Sequence, residues 1–154
     1  MIRKILVPLD ESPRAAAVLE VAVELAERFG ASLRLFRVIT IPQEWPAAAA
    51  GNPVDRLSAY MAERARAELE RLTSQVAERH VAVELPLVRT GAQPWKTIVS
   101  LADELAVDLI VIGSHGYHGL DHVLGTNAGR VANFAHRNVL VVHSPPPLLS
   151  SPSE

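Results

Sequence analysis

Short runs of consecutive apolar residues alternate along this chain with longer segments whose apolar residues recur every three or four positions. The uninterrupted runs indicate strands covered on both faces, as parallel sheets require, and the other spacing indicates amphipathic helices. The predicted strands are Ile5–Val7, Ser32–Ile39, Val81–Val88, Leu109–Ile112 and Val139–Val142, and the predicted helices are Pro13–Phe29, Val54–Arg79, Pro94–Ala106 and Thr126–His136. The alternation predicts an α/β fold, a three-layer sandwich with a five-stranded parallel sheet and helices on both faces.

Capping signals predict where several of these elements begin and end. Ser12 followed by Pro13 is an N-cap with proline at the first helical position, and Pro94 opens a later helix in the same way. Gly30 predicts a left-handed stop for the first helix. Pro86 predicts that the third strand lies at an edge of the sheet, because proline cannot donate to a ladder.

The chain has the size of one domain, since 154 residues with 49% hydrophobic content are enough for one core. Residues 1–144 carry the predicted elements. Proline, alanine and glycine between Thr40 and Pro53 predict a mobile loop. The proline- and serine-rich tail, 145–154, is predicted to be disordered.

Composition narrows the class of protein. A net charge of -2 and a pI near 6.3 provide no basic field for nucleic acid. No apolar run approaches the roughly 18 residues of a membrane span, and the N-terminus lacks the features of a secretory signal. With no cysteine, a reducing compartment is the simplest interpretation. We therefore expect a cytoplasmic protein that binds neither nucleic acid nor membrane.

The segment after the fourth strand carries the clearest chemistry. Gly113 and Gly116 bracket a tight turn, and Gly125 with Thr126 opens a helix. Backbone without Cβ lets a phosphate approach its N–H groups, and a helix N-terminus favours negative charge. Asp10 ends the first strand, and ligands of such sheets bind at the carboxyl ends of strands. Walker A and Rossmann glycine patterns are both missing, which disfavours ATP-driven motors and dinucleotide dehydrogenases.

Four segments together resemble the universal stress protein family: Lys4–Ser12, Asp108–Gly116, Gly125-Thr126 and Val139–Val142. The resemblance extends over residues 2 to 143. It implies the strand order 3-2-1-4-5 and a dimer. In one branch of the family it also implies an ATP site with the pattern G-x2-G-x9-G-[S/T].

By position, the resemblance implies an ATP or ADP site with Mg²⁺. The nucleoside would face Asp10 and the backbone near Pro8 and Leu9, and the adenine would meet the backbone of Val38. The residues placed on the phosphate side are Gly113, His115, Gly116, Gly125, Thr126 and Asn127, the last through its backbone N–H. This chain has eight residues, Tyr117–Leu124, where the pattern has nine.

Three functions remain open. The first is a dimeric regulatory nucleotide sensor in the stress response, in which ATP occupancy determines which unknown protein partner binds. The second is a nucleotide-free dimeric interaction module. The third is a weak ATPase or an autophosphorylating enzyme, which the scarcity of cationic residues in the glycine segment disfavours.

Individual residues also have competing interpretations. Asp10 is a ligand contact, a Mg²⁺ ligand or general base, or a local hydrogen-bond partner. His115, His118 and His122 are close enough in sequence for a metal site, but we predict an ordinary loop and no metal centre. Trp95 is predicted to pack between helices. Val139–Val142 is predicted to pair antiparallel with the same strand of a second subunit. No catalytic residue is predicted.

Overall fold

The computed structural model of the chain describes residues 1–41, 53–114 and 126–143, with the backbone alone at Pro53, Val54 and Thr126. Strands and helices alternate through these residues, as the apolar pattern predicts. The strands are β1 Lys4–Pro8, β2 Ser32–Ile39, β3 Leu87–Thr90, β4 Leu109–Gly113 and β5 Asn138–Val142. The helices are α1 Ala15–Phe29, α2 Pro53–Glu78, α3 Pro94–Glu104 and α4 Thr126–Phe134. Most of the loop predicted between Thr40 and Pro53, namely residues 42–52, and the predicted disordered tail at 145–154 lie outside the described residues.

The sheet has five parallel strands in the order β3-β2-β1-β4-β5, which confirms the fold class and the order that the resemblance implies. Successive strands move outward from β1 to β3, and the chain then crosses to the other side of β1 to form β4. The strand order therefore reverses between β1 and β4. A crevice at the carboxyl ends of the strands is expected at such a reversal.

Two apolar cores cover the two faces of the sheet. Ile5 and Val7 of β1 point into the core under α1 and α2, whereas Leu6 between them points into the core under α3 and α4. Side chains alternate in this way because successive residues of a strand face opposite sides of a sheet. Both faces are thus buried, which explains why the strands carry uninterrupted apolar runs. None of the helices in the described ranges is both long and apolar enough to cross a membrane.

The first helix confirms one predicted boundary and corrects the other. Gly30 has a φ of 64° and donates its backbone N–H to the carbonyl of Ala26, as expected of a left-handed stop. The predicted start at Pro13 is wrong, because α1 begins at Ala15 with Arg14 as its N-cap. Ser12 is held instead in the turn after β1, where its N–H donates to Asp10 and its carbonyl accepts from the N–H of Ala15.

The third strand begins later than the sequence predicts. The prediction was Val81–Val88, but β3 runs from Leu87 to Thr90, and Val83 forms only an isolated bridge with Leu33. Pro86 lies between the bridge and the strand. Its missing N–H interrupts the ladder, as its position on an edge strand allows. The edge position itself is confirmed, because β3 ends the sheet order.

Two helices end two residues earlier than the apolar spacing predicts. Helix α3 stops at Glu104, and Ala106 takes a left-handed φ of 50° on the way into β4. Helix α4 stops at Phe134, and His136 then turns back to Asp103 of α3, with 3.0 Å between Nδ1 and Oδ2. Apolar spacing alone does not show such turns, because Ala106 fits a helical stripe equally well.

Candidate functional site

The end of strand β1 presents an exposed carboxylate. Leu9 is buried and extends the ladder by one bond, donating its N–H to the carbonyl of Phe36 at 2.8 Å. Asp10 follows and is exposed, and its Oδ1 accepts the N–H of Ser12 at 2.9 Å. Within the described residues no hydrogen bond reaches Oδ2. The local turn therefore holds Asp10 in place while its side chain stays exposed.

Strand β4 ends beside β1, at the point where the strand order reverses. The two strands pair in parallel with Ile5 opposite Leu109, and continuing this register places Gly113 next to Leu9. Ser114 is buried and donates its N–H to the carbonyl of Val142 on β5. Asp10 and Gly113, far apart in sequence, are thus brought to the carboxyl ends of two neighbouring strands.

Helix α4 leaves this edge of the sheet. It begins at Thr126, as predicted, and leads from the carboxyl edge back to β5, so its N-terminus lies at the carboxyl edge. Asn127 is exposed in its first turn. A helix start here offers unpaired N–H groups and a favourable dipole to an anion.

Several predicted site residues fall outside the part of the chain that the structure describes. They are His115, Gly116 and Gly125, together with the eight-residue segment Tyr117–Leu124. The histidines His118 and His122 are in the same segment. Among residues 1–41, 53–114 and 126–143, no three His, Asp or Glu side chains form a group suited to a metal ion.

The predicted adenine contact lies on strand β2, one strand away from β1. Val38 is half-buried near the carboxyl end of β2, and its neighbour Ile39 accepts the N–H of Gly91 through its carbonyl at 3.0 Å. Gly91 leaves little room for a side chain, because a Cβ on it would stand 2.2 Å from Oγ1 of Thr97 in α3 and that hydroxyl would have to move. The start of α3 therefore packs closely against the end of β2.

Sequence reasoning missed one residue of this edge, the arginine that lies between Phe36 and Val38. Arg37 is buried, with 4% of its side chain exposed, and its Nε donates to the carbonyl of Leu9 at 2.9 Å. Its Nη2 donates to the carbonyl of Asp10 at 3.1 Å. Its Nη1 lies 2.6 Å from Oε2 of Glu68 in α2. The signal was a cation between two apolar residues of a strand.

The carboxyl of Glu68 responds to this arginine. The hydrogen bond from Arg37 lowers the pKa of Glu68 below its ordinary value of 4.5, against a smaller opposing effect of burial, and the charges of Arg37, Arg71 and Arg64 lower it further. The carboxylate is thus ionised over a wider pH range than an isolated glutamate. It remains a partner for the buried guanidinium across that range.

Trp95 lies in the helix layer, which confirms its predicted packing role. Its ring centroid is 5.1 Å from that of Phe134 in α4. Lys96 and Arg130 lie over the same ring, at 5.6 and 5.7 Å from its centroid. The indole is therefore enclosed by its own helices and side chains, and a stacking role for a ligand receives no support from this geometry.

The chemistry of this edge is suited to binding. It combines an exposed carboxylate at the end of β1, backbone without a Cβ at the end of β4, and the N-terminus of α4. Carboxylates accept hydrogen bonds from hydroxyl groups, such as those of a ribose, and backbone N–H groups donate hydrogen bonds to phosphate oxygens. The arrangement thus fits a ligand with a polyol at one end and an anion at the other.

The sequence matches the family model described as "Universal stress protein family" over residues 1–143. Universal stress protein Sll1388 of Synechocystis is 32% identical over 151 residues, covering 90% of this chain and 96% of that protein. Among solved structures, the hypothetical protein MJ0577 is 26% identical with a TM-score of 0.81, covering 95% of this chain and 99% of that chain.

A further solved structure was determined with a nucleotide. The universal stress protein of Archaeoglobus fulgidus in complex with dAMP is 25% identical to this chain, with a TM-score of 0.58. The similarity covers 92% of this chain and 98% of that one.

Proposed function

This chain belongs to the universal stress protein family, and from that premise we propose that it binds ATP or ADP at the carboxyl edge of its sheet. The observation that carries the proposal is the meeting of Asp10 and Gly113 where the strand order reverses. A nucleotide fits this edge because its ribose hydroxyls suit the carboxylate and its phosphates suit the glycine turn and the start of α4. A relative in complex with dAMP supports the same class of ligand.

Magnesium is part of the proposal. Mg²⁺ takes oxygen ligands and in nucleotide sites is commonly held by one or two carboxylates together with phosphates. Asp10 fits that role, because one of its oxygens accepts the N–H of Ser12 while the side chain stays exposed. When bound, the ion would supply charge neutralisation for the phosphates, and Asp10 would hold it in the crevice.

The biological role that we propose is regulation in the stress response. The universal stress protein domain would comprise residues 1–144, and nucleotide occupancy would determine whether a protein partner binds. Residues 145–154 would form a tail outside the domain. Binding without dedicated catalysis agrees with a site built from one carboxylate and backbone groups.

The homodimer forms the second part of the proposal, with β5 as the pairing strand. In the described part of the chain β5 pairs with β4 alone and ends the sheet order, and Leu140 is 37% exposed. An open strand edge needs a partner or a cover, and a second copy aligned antiparallel supplies one. Sedimentation should give twice the monomer mass, and Leu140→Lys should shift it toward the monomer. A wild-type chain that sediments as a monomer contradicts the dimer.

The nucleotide is tested directly on the purified full-length protein. The protein is prepared without added nucleotide and denatured, and the released small molecules are identified by mass spectrometry. Calorimetric titration with ATP and with ADP, each with and without Mg²⁺, then measures affinity. We expect adenine nucleotide in the extract or a measurable affinity. If neither is found, the nucleotide-free interaction module becomes the better description of this chain.

A further inference from the structure

A buried cation lies directly beneath the proposed site. Arg37 belongs to strand β2 and is almost fully enclosed, yet its side chain is a cation. Burial of a charge is costly unless it is paired and hydrogen-bonded. An apolar residue at this position would avoid that cost, so the contacts of Arg37 indicate why an arginine is present.

The contacts of Arg37 converge on the peptide groups that follow β1. Nε and Nη2 donate to the carbonyls of Leu9 and Asp10, and Nη1 pairs with Glu68. Glu11 approaches the same nitrogen, with its Oε1 at 4.0 Å. One planar group thus connects the end of β1, the acid after it and helix α2. A lysine could not reproduce this, because a single ammonium lacks the fixed fork.

We propose that Arg37 is a positioning residue for the ligand of this site, acting through Asp10. The proposal rests on the proposed function. Beyond Leu9 the ladder to β2 has ended, and the backbone at Asp10 is held by the guanidinium and by the turn to Ser12. Because the guanidinium holds the carbonyl of Asp10, it also fixes the backbone orientation from which the Asp10 side chain extends. Such preorganisation raises affinity, because the ligand need not order the turn.

Glu68 holds the guanidinium of Arg37 from the side of helix α2. It keeps the guanidinium in the plane that reaches both carbonyls, and it links the site to α2. The other charged groups near this pair are Glu11, which follows β1, and Arg64 and Arg71, which lie on α2 with Glu68. Loss of the Glu68 charge should therefore loosen the turn at Asp10 without removing any group that a ligand touches.

The same strand provides a matched control. Arg34 also pairs with a glutamate, Glu84, and also donates to a backbone carbonyl, that of Leu85. That carbonyl is in the segment before β3, away from the end of β1. Arg34 is less buried than Arg37, with 21% of its side chain exposed against 4%. If the paired arginines on β2 served only to stabilise the sheet, replacing either one should affect stability and leave ligand binding unchanged.

The experiment compares Arg37→Met and Arg34→Met in the full-length protein, by calorimetric titration with ATP and by thermal unfolding. We expect Arg37→Met to weaken ATP binding about tenfold and Arg34→Met to leave it unchanged, while both lower the Tm. Arg37→Lys should recover only part of the affinity. Equal affinities for Arg37→Met and wild type would overturn the proposal.

A double-mutant cycle shows whether the effect passes through Asp10. In an Asp10→Asn background, Arg37→Met should weaken ATP binding much less than it does in wild type, because the group that it positions is already impaired. Independent, multiplying effects would contradict action through Asp10. If Arg37→Met does not fold, Glu68→Gln is the replacement, with Glu84→Gln as its control.

A ligand-free measurement separates this inference from the proposed function. The Ser12 amide donates the hydrogen bond that closes the turn onto Asp10, so its hydrogen exchange, followed by NMR, reports how stable that turn is. We expect faster exchange at Ser12 in Arg37→Met and unchanged exchange in Arg34→Met, whether or not ATP binds. Unchanged exchange in Arg37→Met would refute the positioning role. Absence of ATP binding to the wild type would refute the proposed function instead.

Discussion

Two aspartates at opposite edges of the same sheet show how one residue type serves two purposes. Asp10 follows β1 at the carboxyl edge, and one of its oxygens accepts a single N–H, that of Ser12. Asp108 precedes β4 at the amino edge, and its Oδ2 accepts two, from Arg3 at 2.8 Å and from Lys4 at 3.0 Å.

The amino edge is closed by its own hydrogen bonds. Asp108 also donates its N–H to the carbonyl of Lys4, and its own carbonyl accepts from the side-chain amide of Asn138. The N–H groups of Arg3 and Lys4 lower the pKa of the Asp108 carboxyl below its ordinary value of 3.8, with smaller contributions from the N-terminal amine and Arg137. Asp108 thus joins β4 to β1 through its carboxylate and N–H, and to β5 through its backbone carbonyl.

The comparison separates stability from binding. At the amino edge the polar groups satisfy one another, whereas at the carboxyl edge Arg37 binds the carbonyls and leaves the Asp10 carboxylate exposed. Ligand sites of open α/β sheets lie at carboxyl edges. Substitutions at the two edges should therefore differ in kind.

The largest effect is expected at Asp10. Asp10→Asn removes the charge while keeping a hydrogen-bonding shape, and it should weaken ATP binding about tenfold to a hundredfold with little change in Tm. Calorimetric titration measures the affinity. Asp103→Asn, which changes the contacts of His136 and Arg137 at the far end of α3, is the control and should bind ATP as wild type does. If Asp10→Asn binds ATP as tightly as wild type, Asp10 does not serve in ligand binding and the contrast with Asp108 fails.

The converse effect is expected at Asp108. Asp108→Asn should lower the Tm by a few degrees and leave ATP affinity unchanged. Because the folded pKa of Asp108 is depressed, its stabilisation is present above the ordinary value of 3.8 and is lost as the pH falls through the folded pKa. Thermal unfolding across pH should show a higher Tm for wild type than for Asp108→Asn at neutral pH, and this difference should disappear in strong acid. An advantage that persists in strong acid would argue against the carboxylate as its source.

A steric test addresses the carboxyl edge next to Val38. Gly91→Ala places a Cβ against Oγ1 of Thr97 and should destabilise the fold by about 1 kcal/mol. Thr97→Ala removes the obstructing oxygen, so the double variant should recover most of the loss. Thermal unfolding of the two single variants and the double variant measures this. Additive losses would show that Thr97 is not the obstacle.

The smallest effect is expected just before Asp108. Ala106 has a φ of 50°, a conformation that costs alanine more than glycine. Ala106→Gly should stabilise the protein by about 0.5 kcal/mol without affecting ATP binding, whereas Ala102→Gly within α3 should destabilise it by about 1 kcal/mol. Chemical denaturation measures both. Destabilisation by Ala106→Gly would mean that strain at this turn is negligible.

Sequence reasoning succeeded where a local pattern determines the structure. The apolar runs predicted β2 and β4 closely, Gly30 marked its helix end, and Pro86 marked an edge strand. Prediction failed where a tight turn delays the start of an element. Ser12 resembles a helix cap, but it lies in the turn after β1, where its N–H donates to Asp10, and α1 begins only at Ala15.

Prediction of the site was limited to what strand order and local pattern determine. The placement of Asp10 near Gly113 follows from strand order, which the family resemblance implied. The role of Arg37 could not be predicted in this way, because no local pattern indicates which carbonyls a buried guanidinium will reach. The phosphate-side residues His115, Gly116 and Gly125 stay predictions.

Backbone amide shifts during an ATP titration test most directly whether the carboxyl edge is the ligand site. We predict that the amides of Leu9, Asp10, Val38 and Gly113 shift with ATP, while those of Arg3, Lys4 and Asp108 at the amino edge stay in place. Absence of shifts at saturating ATP, or shifts confined to the amino edge, would contradict the assignment of binding to one edge and stability to the other.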